Sequence, residues 1–175
     1  MTDAVITRPA EDEYLSYYGR YVSLVPEGDI VTILATQIDD TLSLLRGVPE
    51  SKGSFKYAPD KWTVKELVGH LTDAERIFAN RALRFGRHDQ TPLPGFEENN
   101  YVRDSSFNDY PLAELADGFG AVRRSTVFLF KHMTKEASLC RGKANNAEIS
   151  VRALAYVMAG HERHHIDVLK TRYLV

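Results

Sequence analysis

The sequence predicts an all-α protein, a four-helix bundle with a short extra helix at its N-terminus. Three observations carry that prediction. Apolar residues recur at steps of three and four over four stretches of roughly 18 to 23 residues. Recognisable cap, glycine or proline signals punctuate those stretches. No stretch alternates apolar and polar residues over the length of a strand, and there is no internal repeat or low-complexity tract.

Residues 1–10 are polar and expected to fray. From Glu11 to Val25, Tyr14, Tyr17, Tyr18, Tyr21 and Leu24 recur at helical steps, giving a short helix that lays an aromatic face on the main body. Gly19 weakens it, and Pro26-Glu27-Gly28 ends it. Gly28 or Asp29 starts the first long helix, which turns Ile30, Ile33, Leu34, Ile38, Leu42 and Leu45 inward and stops at Gly47. A turn-rich stretch follows to Pro59. Thr63 with Glu66 then forms a capping box, and Trp62 precedes it in position to staple onto Leu67. The second long helix runs to about Phe85 with Gly86 as its stop, burying Leu67, Leu71, Ala74, Phe78 and Phe85 and turning Arg76, Arg84 and Arg87 to solvent.

Gly86 to Tyr110 has no convincing period, and a connection of that length is usually functional or flexible. Pro111 suits the first turn of a third long helix through Leu112, Leu115, Phe119, Val122, Val127, Phe130 and Met133. Lys131 to Ala147 reads as a loop, and Ser150 caps the last helix, Val151 to about Tyr173.

With 175 residues, 43% hydrophobic and 26% charged, the chain is expected to form one domain with a real core, spanning 1–175. A net charge of −2 gives no electrostatic reason to expect nucleic acid or an anionic membrane as partner. The single cysteine, Cys140, excludes an intrachain disulfide framework and suits a reducing cytoplasm. No signal-peptide core and no apolar run of membrane-spanning length is present.

Chemistry concentrates in Gly160 to Val168, Gly-His-Glu-Arg-His-His-Ile-Asp-Val. At about 100° per residue, His161 and His165 lie within roughly 50° of the apolar stripe through Val151, Leu154, Met158 and Leu169, while His164 points about 110° away. Two imidazoles one turn apart on a buried face need partners for their nitrogens, and a divalent metal supplies them. The competing reading is a pair of satisfied core histidines with no metal. On the second long helix His70 sits at the edge of the buried stripe, about 70° from its centre, able to reach a cleft between helices. His70, His161 and His165 are therefore the candidate metal ligands. Three imidazoles leave open positions, the layout of a reactive centre rather than a structural one. Zinc, nickel, iron and manganese all accept imidazole. His88 and His132, near loops, and outward His164 are left out. Glu75 and Glu162 are expected to be ordinary helix-surface carboxylates, with orientation of an imidazole as their alternative role.

His161-Glu162-Arg163-His164-His165 also satisfies the His-Glu-x-x-His pattern of zinc metalloproteases, with Glu162 as general base. That pattern matches by chance fairly often. Such proteases also align substrate on a strand, and none is expected here.

Two longer segments carry a family resemblance. Residues 62–75, Trp-Thr-Val-Lys-Glu-Leu-Val-Gly-His-Leu-Thr-Asp-Ala-Glu, resemble the second-helix signature of the DinB-like superfamily of metal-dependent enzymes. Residues 150–166, Ser-Val-Arg-Ala-Leu-Ala-Tyr-Val-Met-Ala-Gly-His-Glu-Arg-His-His-Ile, resemble its last-helix signature. The resemblance implies a four-helix bundle whose metal is held at the positions of His70, His161 and His165. It further implies zinc or nickel as the first expectation, with iron or manganese behind them, and a homodimer. The activity implied is S-transfer from a low-molecular-weight thiol cosubstrate, or hydrolysis of a small molecule. The alternative is a non-catalytic dimeric bundle that binds a metal or small ligand.

Overall fold

The structure is a computed structural model that describes residues 6–175. Of the N-terminal residues expected to fray, 1–5 lie outside the described residues. From Ile6 the chain is packed rather than frayed. Ile6 is buried, and the Arg8 guanidinium donates to the carbonyls of Val22 (3.0 Å) and Val25 (2.7 Å). The expected tyrosine helix is broken into three short turns: 3-10 turns at Glu11–Glu13 and Ser16–Tyr18, then α1, Gly19–Val22. With so few residues per turn, its packing is supplied from outside, and Tyr21 and Val22 are buried while Tyr17 and Leu24 stay exposed.

Helix α2, Ile30–Gly47, starts on Asp29, whose carboxylate accepts from the Thr32 amide at 2.8 Å. Helix α3, Val64–Gly86, opens on the expected capping box: Thr63 Oγ1 accepts from the Glu66 amide (3.0 Å) and Glu66 accepts from the Thr63 amide (2.7 Å). The segment after it is not featureless. It holds α4, Glu98–Arg103, and a 3-10 turn at Phe107–Asp109. Helix α5 is Leu112–Lys131, and α6, Lys135–Leu139, is a short addition.

Where a loop without strands is expected, a two-stranded antiparallel hairpin forms: β1, Arg141–Ala144, and β2, Ala147–Ser150, with Gly142 opposite Ile149. Its two-residue turn, Asn145-Asn146, takes φ of 51° and 61°, the left-handed pair that a tight hairpin needs and that asparagine tolerates. Four-residue strands are too short to show a period-two pattern, so the Asn-Asn pair was the available signal. The hairpin pins the preceding connection: the Leu93 amide donates to the Lys143 carbonyl (2.8 Å), and the Asn145 amide to the Leu93 carbonyl (3.1 Å). Helix α7, Val151–Val168, follows directly on its Ser150 cap and ends in a π turn to Tyr173.

Helices α2, α3, α5 and α7 make the bundle. Each of α2 and α3 packs on both α5 and α7, so the order around the bundle is α2, α5, α3, α7. Two helices consecutive in the chain, α2 and α3, thus lie on a diagonal, and α3 is placed beside α7. Gly160 allows the N-terminal segment to close on that pair. A Cβ at Gly160 would lie 1.9 Å from the Tyr21 carbonyl oxygen, so only glycine admits the Tyr21 backbone against α7.

Candidate metal centre

The contact of α3 with α7 brings the three predicted histidines together. His70 extends from the second turn of α3, and His161 and His165 from successive turns of α7. His70 Nε2 and His165 Nε2 each lie 3.1 Å from His161 Nε2, and the ligand atoms of all three fall within 4.8 Å of one another. Those spacings suit a shared cation. Metal–nitrogen bonds of about 2.1 Å put neighbouring ligand nitrogens about 3.0 Å apart in octahedral and about 3.4 Å in tetrahedral coordination.

Burial drives all three imidazoles toward the neutral form. It lowers the His70 pKa to about 4 and takes His161 and His165 well below their usual range, with mutual repulsion adding to the effect. Neutral Nε2 atoms facing one another cannot all be satisfied by hydrogen bonds within the trio, because each contact needs one donor and one acceptor. A cation accepts every lone pair at once. The donor set therefore fits a divalent transition metal.

Aromatic rings fix the imidazole planes. Trp62 covers His70 at 4.6 Å between centroids and stacks over His165 at 6.3 Å. The edges of Tyr21 (5.3 Å) and Phe78 (6.0 Å) meet His161. His70 and His161 open into a cleft of about 330 Å³, walled by Tyr17, Tyr18, Tyr21, Phe78, Arg81 and Phe96. Burial raises the Tyr21 pKa and outweighs the opposing pull of the Arg20 guanidinium, which donates to its hydroxyl at 2.8 Å, so it stays protonated at neutral pH. His164 packs on Tyr21, His132 on Phe128, and His88 lies 3.6 Å from the Cys140 sulfur; none of them joins the trio.

Residues 33–169 match the DinB superfamily. The chain belongs to the DinB superfamily. Among solved structures it is similar to YfiT from Bacillus subtilis, described as a probable metal-dependent hydrolase with an unusual four-helix bundle topology. The likeness has a TM-score of 0.70 at 13% identity and covers 94% of this chain and 90% of that one. At that identity it shows the fold alone. No curated protein matches the chain.

In this DinB-superfamily bundle the two carboxylates expected on helix surfaces are buried instead. Glu75 and Glu162 both pair with Arg123, which is completely buried on α5. Arg123 Nε and Nη2 fork onto Glu75 at 2.7 and 3.0 Å, and Nη1 reaches Glu162 at 2.6 Å. Gln37 of α2 donates to Glu162 and to the Ala159 carbonyl (3.0 Å). The bonds from Arg123 and Gln37 both fall on Oε2 of Glu162, while its Oε1 is buried without a partner among the described residues. Glu162 faces Arg123 and Gln37 and does not line the cleft that His70 and His161 open into, and this weighs against a general-base role in the metalloprotease reading.

Arg123, Arg81 and Trp62 are the site residues that sequence reasoning missed. Arg123 had a usable signal, since it sits four residues after Phe119 and seven before Phe130, on the buried stripe of α5. The inward face there is Leu112, Ala116, Phe119, Arg123 and Phe130, rotated slightly from the one expected through Leu115 and Val122.

Proposed function

We propose that the chain is a metal-dependent enzyme acting on a small molecule, with His70, His161 and His165 as the ligands. The reaction is S-transfer from a low-molecular-weight thiol cosubstrate, or hydrolysis. The observation that carries this reading is the convergence of three neutral imidazoles, His70 and His165 each placing Nε2 3.1 Å from that of His161, with His70 and His161 on the wall of an open cleft. When bound, zinc or nickel, with iron or manganese as alternatives, would supply Lewis acidity enough to hold a thiol or a water in its deprotonated form near neutral pH.

The chain's own residues supply the rest. Trp62 packs on His70, and Tyr21 and Phe78 pack on His161, holding those imidazoles in orientation. Tyr21, kept protonated, can donate a hydrogen bond to a substrate oxygen but does not act as base. Access through the cleft favours catalysis over the alternative of a closed storage or scaffold role, which needs no approach for substrate.

Among the described residues no helix is long and apolar enough to cross a membrane, and a cytoplasmic setting is part of the proposal. So is a homodimer: Phe128 and Leu83 expose apolar surface at 68% and 41% beside a shallow cavity, a face a second copy would cover.

Elemental analysis of protein purified without a histidine tag tests the central claim. Near-stoichiometric transition metal in the parent, falling sharply in His70→Ala, supports it. A parent with no affinity for added zinc or nickel refutes it. Screening thiols against a generic electrophile then separates transfer from hydrolysis.

A further inference from the structure

Arg81 stands apart from the other deeply buried cation of the bundle. Arg123 is neutralised by two carboxylates, whereas Arg81, 4% exposed, has no ion-pair partner among the described residues. Nη2 of Arg81 donates to the Pro94 carbonyl at 2.9 Å, and Tyr18 is the other polar group beside it. Its Cζ lies over the ring of Phe78 (5.8 Å) and over that of Phe96 (6.0 Å). A guanidinium with one carbonyl and one phenol beside it keeps N–H donors to spare, and those can bind an oxyanion in a fork. Arg81 lines the same cleft as His70 and His161. Glu97 and Glu98 also line it, but both are exposed and neither pairs with Arg81. A buried, uncompensated charge facing a ligand cavity is costly unless the ligand completes it.

Geometry within the cleft bounds the ligand's length. Eleven residues separate His70 from Arg81, three turns plus about 20°, so both side chains leave the helix in nearly the same direction. The Arg81 Cζ lies 5.8 Å from the centroid of the Phe78 ring, which is itself 6.0 Å from the centroid of the His161 ring, so the guanidinium is no more than about 12 Å from the histidine cluster.

We propose that Arg81 is an anion subsite of this cleft, and that the substrate or cosubstrate handled at the histidines carries a carboxylate or similar oxyanion no more than about 12 Å from its reacting atom. The assignment rests on the proposed function for what happens at the other end of the molecule. The anion contact itself is independent of it.

Calorimetric titration with ω-mercaptocarboxylates of increasing chain length, each paired with its primary amide, tests the subsite. The protein is titrated both as purified and after loading with zinc. The carboxylates should bind about 10-fold tighter than the amides of the same length. In Arg81→Gln, which keeps a donor for Pro94, that preference should fall to within about 2-fold, with Arg81→Lys between. Equal binding of acid and amide by the parent, or a preference that survives in Arg81→Gln, overturns the proposal. The parent comparison decides the matter even if Arg81→Gln does not fold. A carboxylate preference that persists while the protein takes up no zinc leaves the subsite standing and removes the metal reading instead.

Discussion

Replacing Arg123 by methionine is the sharpest test of how the bundle holds its centre. The side chain is fully buried and makes three charge-assisted hydrogen bonds of 2.6 to 3.0 Å, two to Glu75 on α3 and one to Glu162 on α7. Methionine fills similar space but leaves two carboxylates facing each other without a cation. Breaking a buried pair from one side typically costs about 3–5 kcal/mol. For a chain of this size that is a fall in Tm of roughly 6–20 °C, at about 2–4 °C per kcal/mol. Glu75 lies five residues beyond His70 and Glu162 directly after His161, so the same loss loosens the register between the two helices that carry the histidine trio. Metal affinity should drop about 10- to 100-fold. Urea unfolding at constant slope gives the stability change, and competition with a chelator gives the affinity. Adding Glu75→Gln to Arg123→Met should relieve part of the damage, because one of the two stranded charges is gone. A loss below about 1 kcal/mol for Arg123→Met, or full additivity with Glu75→Gln, would refute the account of these residues as one coupled unit.

Gly160→Ala should displace the tyrosine segment, since its Cβ would meet the Tyr21 carbonyl oxygen at 1.9 Å; a loss of about 1–3 kcal/mol and faster proteolysis around residues 14–25 are expected. Burial alone would raise the pKa of Glu13, but hydrogen bonds from Arg152, Ser150 and the Ala10 amide outweigh it and hold the group at about 2. Because the folded value lies below the ordinary 4.5, its contribution of about 3 kcal/mol is complete above that pH and is lost as pH falls from 4.5 toward 2. Acid titration followed by hydrogen exchange should show residues 6–25 opening in that window, and Glu13→Gln should flatten the dependence. Trp62 is the single tryptophan and covers His70 at 4.6 Å, so nickel should quench its emission at stoichiometric metal, and His70→Ala should abolish the quenching.

Long elements were legible in the sequence and short ones were not. Apolar periodicity and caps located α2, α3, α5 and α7 nearly to the residue, because eighteen or more positions average out local noise. The two strands of the hairpin at 141–150, α4 and the broken N-terminal turns have three to six residues each, fewer than any period needs to declare itself. The convergence of His70, His161 and His165 was legible because each lies near a buried stripe, and burial of an imidazole can be read from a helical wheel. Glu75 and Glu162 lay near the same stripes, but carboxylates carry a strong prior for solvent. Only the fully buried arginine opposite reverses that prior. Nothing in one helix announces a partner on another.

The division between helices and irregular segments also separates two kinds of constraint. His70 and His161 each follow a glycine that cannot gain a side chain: a Cβ at Gly69 would lie 2.3 Å from the Phe107 ring, and one at Gly160 1.9 Å from the Tyr21 backbone. Ligand geometry is thus locked by close approach of backbone to neighbours that lie outside the four long helices. Those same outside segments, residues 15–21, 95–99 and the turn at Asn145, make much of the cleft wall, while the bundle contributes His70, Phe78, Arg81 and His161. A change in an irregular segment can therefore reshape the cleft without touching a ligand, so long as it leaves Phe107 and Tyr21 seated. Under the proposed function, the helices would fix what chemistry is available, and the segments laid over them would select the molecule that receives it.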